Sequence, residues 1–180
     1  AGPPPSLSAA AQAPASHVNR ERPSTPVTSS IHRILQGIPL AIDDGTAASA
    51  IGFSGGGDLI ALNEFEAFPV PGLPLTAVSI AWGTPHLPDP SLNGLSYTAL
   101  VWSDPNSDGN PADAVLVGAA PGVISQQGTD TFIRTAFFNM DPPTQFFFVG
   151  FLIHYNAGQL PAAFDETPPT LSNRSFVAAG

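Results

Sequence analysis

From residue 38 onward the apolar residues fall in short runs separated by clusters of Gly, Pro, Asn and Asp. Val78, Ile80 and Trp82 alternate with Ala77, Ser79 and Ala81, the period of two that turns one face of a strand toward a core. Phe146 to Ile153 is apolar on both alternating faces, which predicts a central strand buried on both sides. The pattern predicts strands near 38–42, 58–68, 75–82, 96–103, 114–119, 131–138, 145–155 and 173–178. Between them lie the turn clusters Asp43-Asp44-Gly45, Gly55-Gly56-Gly57, Pro69 to Pro74, Asp104 to Pro111 and Asp165 to Pro169. No segment carries a helical repeat. About eight short strands cut by such turns predict an all-β fold, a jelly-roll-like β-sandwich.

Residues 1–36 follow a different rule. Pro3, Pro4, Pro5, Pro14, Pro23 and Pro26 stand among Ala, Ser and Thr. Proline fixes φ and lacks an N–H, so this stretch favours an extended backbone. The expected organisation is an extended N-terminal arm, 1–36, and a sandwich domain, 37–180. Charge divides along the same line. The arm holds Arg20, Arg22 and Arg33 against Glu21, a net of +2, whereas the body holds Arg134 and Arg174 against thirteen acids, a net of −11. Opposite charge favours docking of an arm on a body, although exposed pairs contribute only about 0.2–1 kcal/mol each.

Composition narrows the chemistry. Charged residues make up 11% of the chain, with a formal net charge of −9. All five cations are Arg; without Lys there is no Schiff base, no phosphate-loop lysine and no Ser-Lys dyad. An acidic chain so poor in cations is a weak partner for nucleic acid. The absence of Cys removes disulfides, thiolate catalysis and thiolate metal sites. The longest apolar run, Phe146 to Ile153, is far shorter than the ~20 residues of a membrane span. The chain begins with Ala rather than Met, the expectation for a mature end left by export to the cell surface or medium.

The sharpest local signal is Asp104-Pro105-Asn106-Ser107-Asp108-Gly109-Asn110-Pro111-Ala112-Asp113. Side-chain oxygens recur at every second residue and Gly109 follows the third, as in the first half of a calcium loop. The second half departs: Val115 stands where a bidentate Glu would be, and no helices flank the loop. Asp104, Asn106, Asp108, Asn110 and Asp113 are therefore candidate Ca²⁺ ligands on a strand-to-strand loop, with a polar turn as the alternative.

Gly52-Phe53-Ser54-Gly55-Gly56 fits the letters of a nucleophile elbow but precedes a strand, which favours a glycine-rich turn. Glu64 and Glu66 share a strand face and read as solvated rather than catalytic. His17, His32, His86 and His154 have no metal-ligand spacing. His154 is expected as a hydrogen-bonded residue at a strand end. Trp82, Trp102, Tyr97 and Tyr155 could stack on a sugar, with core packing as the alternative. Asn173-Arg174-Ser175 fits the glycosylation sequon.

From Asp43 to the C-terminus the chain resembles secreted bacterial β-sandwich modules of jelly-roll type. The residues carrying the likeness are Asp43-Asp44-Gly45-Thr46, the Gly55 to Gly57 run, Asp104-Pro105-Asn106 with Asp108-Gly109-Asn110-Pro111, Phe148-Val149-Gly150 and Arg174-Ser175-Phe176-Val177. The resemblance implies an extracellular sandwich and no particular activity. With no catalytic constellation, the expectation is a non-enzymatic structural subunit of a filament or surface layer. Its partners would be copies of itself, joined by strand addition from the arm, with Val27, Ile31 and Leu35 as apolar pegs. The alternative is a calcium-dependent carbohydrate- or surface-binding module.

Overall fold

The computed structural model describes residues 11–12, 39–66, 74–140, 144–165 and 174–179. Val27, Ile31 and Leu35, the turn residues 69–73 and 166–169, and the sequon residue Asn173 lie outside the described residues. The strands are β1 (Ala11–Gln12), β2 (Ser49–Ile51), β3 (Gly56–Glu66), β4 (Leu75–Ile80), β5 (Ser96–Ser103), β6 (Val115–Val123), β7 (Ile133–Met140), β8 (Phe146–Asn156), β9 (Ala162–Phe164) and β10 (Ser175–Ala179). They form an all-β sandwich. One broad sheet has the order β1-β10-β3-β8-β5-β6, and two ribbons, β2-β9 and β4-β7, complete the fold. Every pairing is antiparallel.

β8 sits between β3 and β5, as an apolar strand with no polar face must. Its odd-numbered residues Phe147, Phe151, Ile153 and Tyr155 enter the larger core with Leu59, Tyr97, Ala99 and Val101 of the broad sheet. Val78, Ile80 and Trp82 close on this first face from the β4 side. Trp82 tilts against Tyr97 and Phe151, with ring centroids 4.6 Å away in both cases. Tyr97 hydrogen-bonds Thr135 across the layers at 2.6 Å. The even-numbered side of β8 faces the other way. There Phe148 joins Ile60, Leu62, Leu100, Trp102, Phe176 and Ala178 in a second cluster.

β6 forms the outer edge of the broad sheet opposite β1. A register shift at Val101/Trp102 makes a bulge there, with Val101 opposite Gly118 and Trp102 opposite Leu116. Val115, Val117 and Val123 of this edge strand are exposed. Two expectations change. Residues 39–42 have no regular structure, where a strand is predicted. The three-residue β2 and β9, which pair with each other while Ala162 also bridges Trp82, carry too short an alternation to be visible in the sequence. Short 3-10 turns at Pro90–Leu92 and Pro111–Asp113 each start with Pro behind an Asx cap from Asp89 or Asn110.

Candidate cation-binding loop

The segment from Asp104 to Asp113 leaves the end of β5 and returns to β6 through the second 3-10 turn. Its alternating oxygens do local work. Asn106 Oδ1 accepts from Asp108 N at 3.1 Å, Asp108 Oδ1 from Asn110 N at 2.8 Å, and Asn110 Oδ1 from Ala112 N at 3.1 Å. These are successive Asx turns, the local side-chain-to-backbone bonding that Asp and Asn favour. Asp104 differs. It is fully buried, and its carboxylate spans the loop, accepting from Ser107 N at 2.9 Å and from Gly109 N at 2.8 Å. Its own N–H donates to Thr144 Oγ1 at 3.1 Å.

Three of the five predicted ligands come together: carboxylate oxygens of Asp104, Asp108 and Asp113 all lie within 4.8 Å of one another. Asp108 and Asp113 are exposed. A carboxylate offers about four lone-pair sites, so the Asx bonds leave acceptor capacity facing the shared space. Three carboxylates that close repel unless a cation or solvent intervenes, and oxygen-only donors suit a hard ion such as Ca²⁺. Asn106 and Asn110 instead point an oxygen at loop N–H groups, with Asn106 Nδ2 donating to Asp108 Oδ2 at 3.1 Å.

The loop also folds back over the second face of the sheet. A Cβ on Gly109, whose φ is +74°, would stand 3.1 Å from Glu64 Oε2. Only glycine suits both that dihedral and that approach. Glu64 is buried, whereas Glu66 two residues on stays exposed. The expectation of a solvated Glu64/Glu66 face thus holds for Glu66 alone; the sequence marks the alternation but not the approach of Gly109 to one of its members. Burial pushes the Glu64 pKa up, while Arg174 pulls it down and Asp104 and Glu66 add to the rise. The Asp43 pKa is also raised, chiefly by burial, with Asp165 and Asp44 contributing and the Gly45 N–H opposing.

The other candidates are dispersed. Gly52 to Gly56 is a turn closed by Gly56 N donating to Phe53 O at 3.0 Å, and β3 rather than a helix follows. His154 Nδ1 meets Asp58 Oδ1 at 2.6 Å near the end of β8, with both side chains exposed, and no described hydroxyl bonds the ring's other nitrogen. Trp82, Trp102, Tyr97 and Tyr155 are each at most 3% exposed, so these four cannot stack on a surface ligand. Tyr155 spends its hydroxyl on the Phe53 backbone.

No helix among the described residues is long and apolar enough to cross a membrane. Comparison of the chain with protein-family models, with curated proteins and with solved structures finds no match.

Proposed function

We propose that the chain is a structural subunit of an extracellular assembly, a filament or surface layer, whose copies join by strand addition. The observation that carries this reading is β1. Ala11 and Gln12 pair antiparallel with Val177 and Phe176 of β10, so the outer edge of the broad sheet accepts a strand from the arm. The pairing residues lie upstream of the expected Val27 to Leu35 stretch. Residues 13–38, outside the described residues, link this strand to the body and have a contour of about 90 Å at ~3.5 Å per residue. Such a tether lets a neighbouring copy supply the strand as readily as the chain's own terminus.

Deletion of residues 1–12 tests the reading by light scattering after size exclusion and by negative-stain microscopy. Full-length chains are expected to form regular polymers that the deleted protein cannot form. Equal assembly by both, or a full-length protein that stays an 18.5 kDa monomer when concentrated, would refute it.

A second reading is a calcium-dependent surface-binding module, favoured by the convergence of Asp104, Asp108 and Asp113. It predicts a higher melting temperature in millimolar Ca²⁺ than in EDTA, an increment lost in Asp108→Ala. Equal melting in both media removes it.

A further inference from the structure

Glu64 is a carboxylate of the broad sheet that is enclosed without being neutralised. It is 8% exposed, whereas Glu66 on the same strand stands in water. Its backbone N–H donates to Arg174 O at 2.7 Å. Among the described residues, no hydrogen bond or ion pair engages its side chain, and the Arg174 charge acts on it from beyond ion-pair range. A carboxylate placed in this way gives up water without receiving donors, which costs free energy unless a cation shares the space. Its direction is defined. Both oxygens face the Asp104–Asp113 loop, at 3.1 and 3.4 Å from the point where a Cβ on Gly109 would stand. Asp104 holds the same residue by its N–H, with Oδ2 2.8 Å from the nitrogen. The two carboxylates therefore meet at Gly109, and the Asp104 charge is felt at Glu64. Asp104 in turn lies within 4.8 Å of Asp108 and Asp113. Four carboxylates, from a strand, a loop and a 3-10 turn, gather at one corner of the second face.

We infer that a hard divalent cation of the Ca²⁺ class binds at this corner with Glu64 as the ligand supplied by the sheet. The inference rests on the calcium reading of the loop and adds to it a ligand from a different element. Ca²⁺ takes about six to eight oxygens in irregular geometry, and its affinity rises with the number of charged ligands. A fourth carboxylate therefore strengthens the site, and its origin on β3 changes what the ion does. Held by the three aspartates alone, the ion would order the loop; held also by Glu64, it fastens the loop to the second face of the sheet. Rotation about the Glu64 side-chain bonds is enough to turn an oxygen from Gly109 toward the aspartates, with no movement of β3.

Terbium titration of the full-length chain tests it, with Ca²⁺ as competitor. Trp102 shares a row with Glu64 across β8 and serves as the sensitiser of Tb³⁺ emission. Expected is saturable Tb³⁺ binding that Ca²⁺ reverses. Glu64→Gln, and Glu64→Asp, which keeps the charge but shortens the reach, should each weaken binding by at least ~10-fold. Each should also admit an additional water molecule to the ion, read from emission lifetimes in H₂O and D₂O. Glu66→Gln, which removes an exposed charge from the same strand, should change the affinity by less than ~2-fold. Circular dichroism checks that each variant is folded. Unchanged affinity and hydration in the Glu64 variants overturn the inference and leave the calcium reading standing. So does an equal loss in Glu64→Gln and Glu66→Gln, which would show bulk charge instead of ligation. A wild-type chain that binds neither Tb³⁺ nor Ca²⁺ overturns both.

Discussion

Phe148→Ala puts the second face to a thermodynamic test. The side chain lies at the centre of the broad sheet, between Glu64 of β3 and Trp102 of β5 in register. It is fully buried and meets Phe176 edge to face, with centroids 5.8 Å apart and an interplanar angle of 80°. Truncating a buried Phe to Ala costs about 3–5 kcal/mol, of which the aromatic pair supplies roughly 0.5–1.5 kcal/mol. On an open strand face the same change costs about 1 kcal/mol, the whole span of strand propensity and cross-strand pairing. The two cases differ by enough to be separated in urea. Unfolding followed by far-ultraviolet circular dichroism should show a large drop in midpoint with an unchanged slope. Phe151→Ala, on the first face, provides the internal standard and should cost a similar amount. A loss of ~1 kcal/mol or less for Phe148→Ala, beside several for Phe151→Ala, would refute the burial of the second-face cluster.

Gly150→Ala should destabilise by about 3 kcal/mol or more. Its Cβ would stand 2.1 Å from Ala61 O and 2.7 Å from Leu62 Cα, forcing β3 and β8 apart; a thermal melt reads the loss. Asp104→Ala strips a buried acceptor from two backbone N–H groups and should cost roughly 2–4 kcal/mol, a fall of about 5–15 °C in melting temperature for a chain of this size. Glu64→Gln should raise stability at pH 7. Burial lifts the folded pKa above the ordinary value of 4.5, so the folded state loses stability as the pH rises from 4.5 through that raised value, and the loss is complete above it. The gain should therefore shrink as pH falls and vanish below 4.5; a difference in melting temperature independent of pH would contradict the sign.

The long strands were legible because their patterns are strong. Residues 96–103 read as β5 to the residue, and the unbroken apolar run at Phe146 to Ile153 could only be central. β2 and β9 were not, since three residues of mostly Ala and Ile carry no period that a turn could not share. At the loop, the sequence marked five oxygen-bearing residues; the carboxylates of Asp104, Asp108 and Asp113 lie within 4.8 Å of one another, with Asp113, out of step with the alternation, carried there on the 3-10 turn Pro111–Asp113. Glu64 was read as solvated, and its burial was missed for a long-range reason. Gly109, forty-five residues later, approaches its carboxylate, and no local spacing records that contact. Trp102 and Tyr97 were ambiguous between core and surface because β5 is buried at both of its faces.

β6 gives the sheet a direction. The strand carries a bulge beside Val117 and a proline, Pro121, opposite Thr98. Bulges and prolines are the devices that spoil an edge as a template, the bulge by breaking the even spacing of donors and acceptors and the proline by removing a donor. β10 carries neither and takes up β1 in register. The two ends of the ladder are therefore unequal. Continuation through backbone bonds is favoured beyond β10 and discouraged beyond β6, despite the exposed valines there. A molecule with one receptive margin and one blunted margin limits its own accretion. It can accept a short, specific segment without becoming the seed of an unlimited sheet.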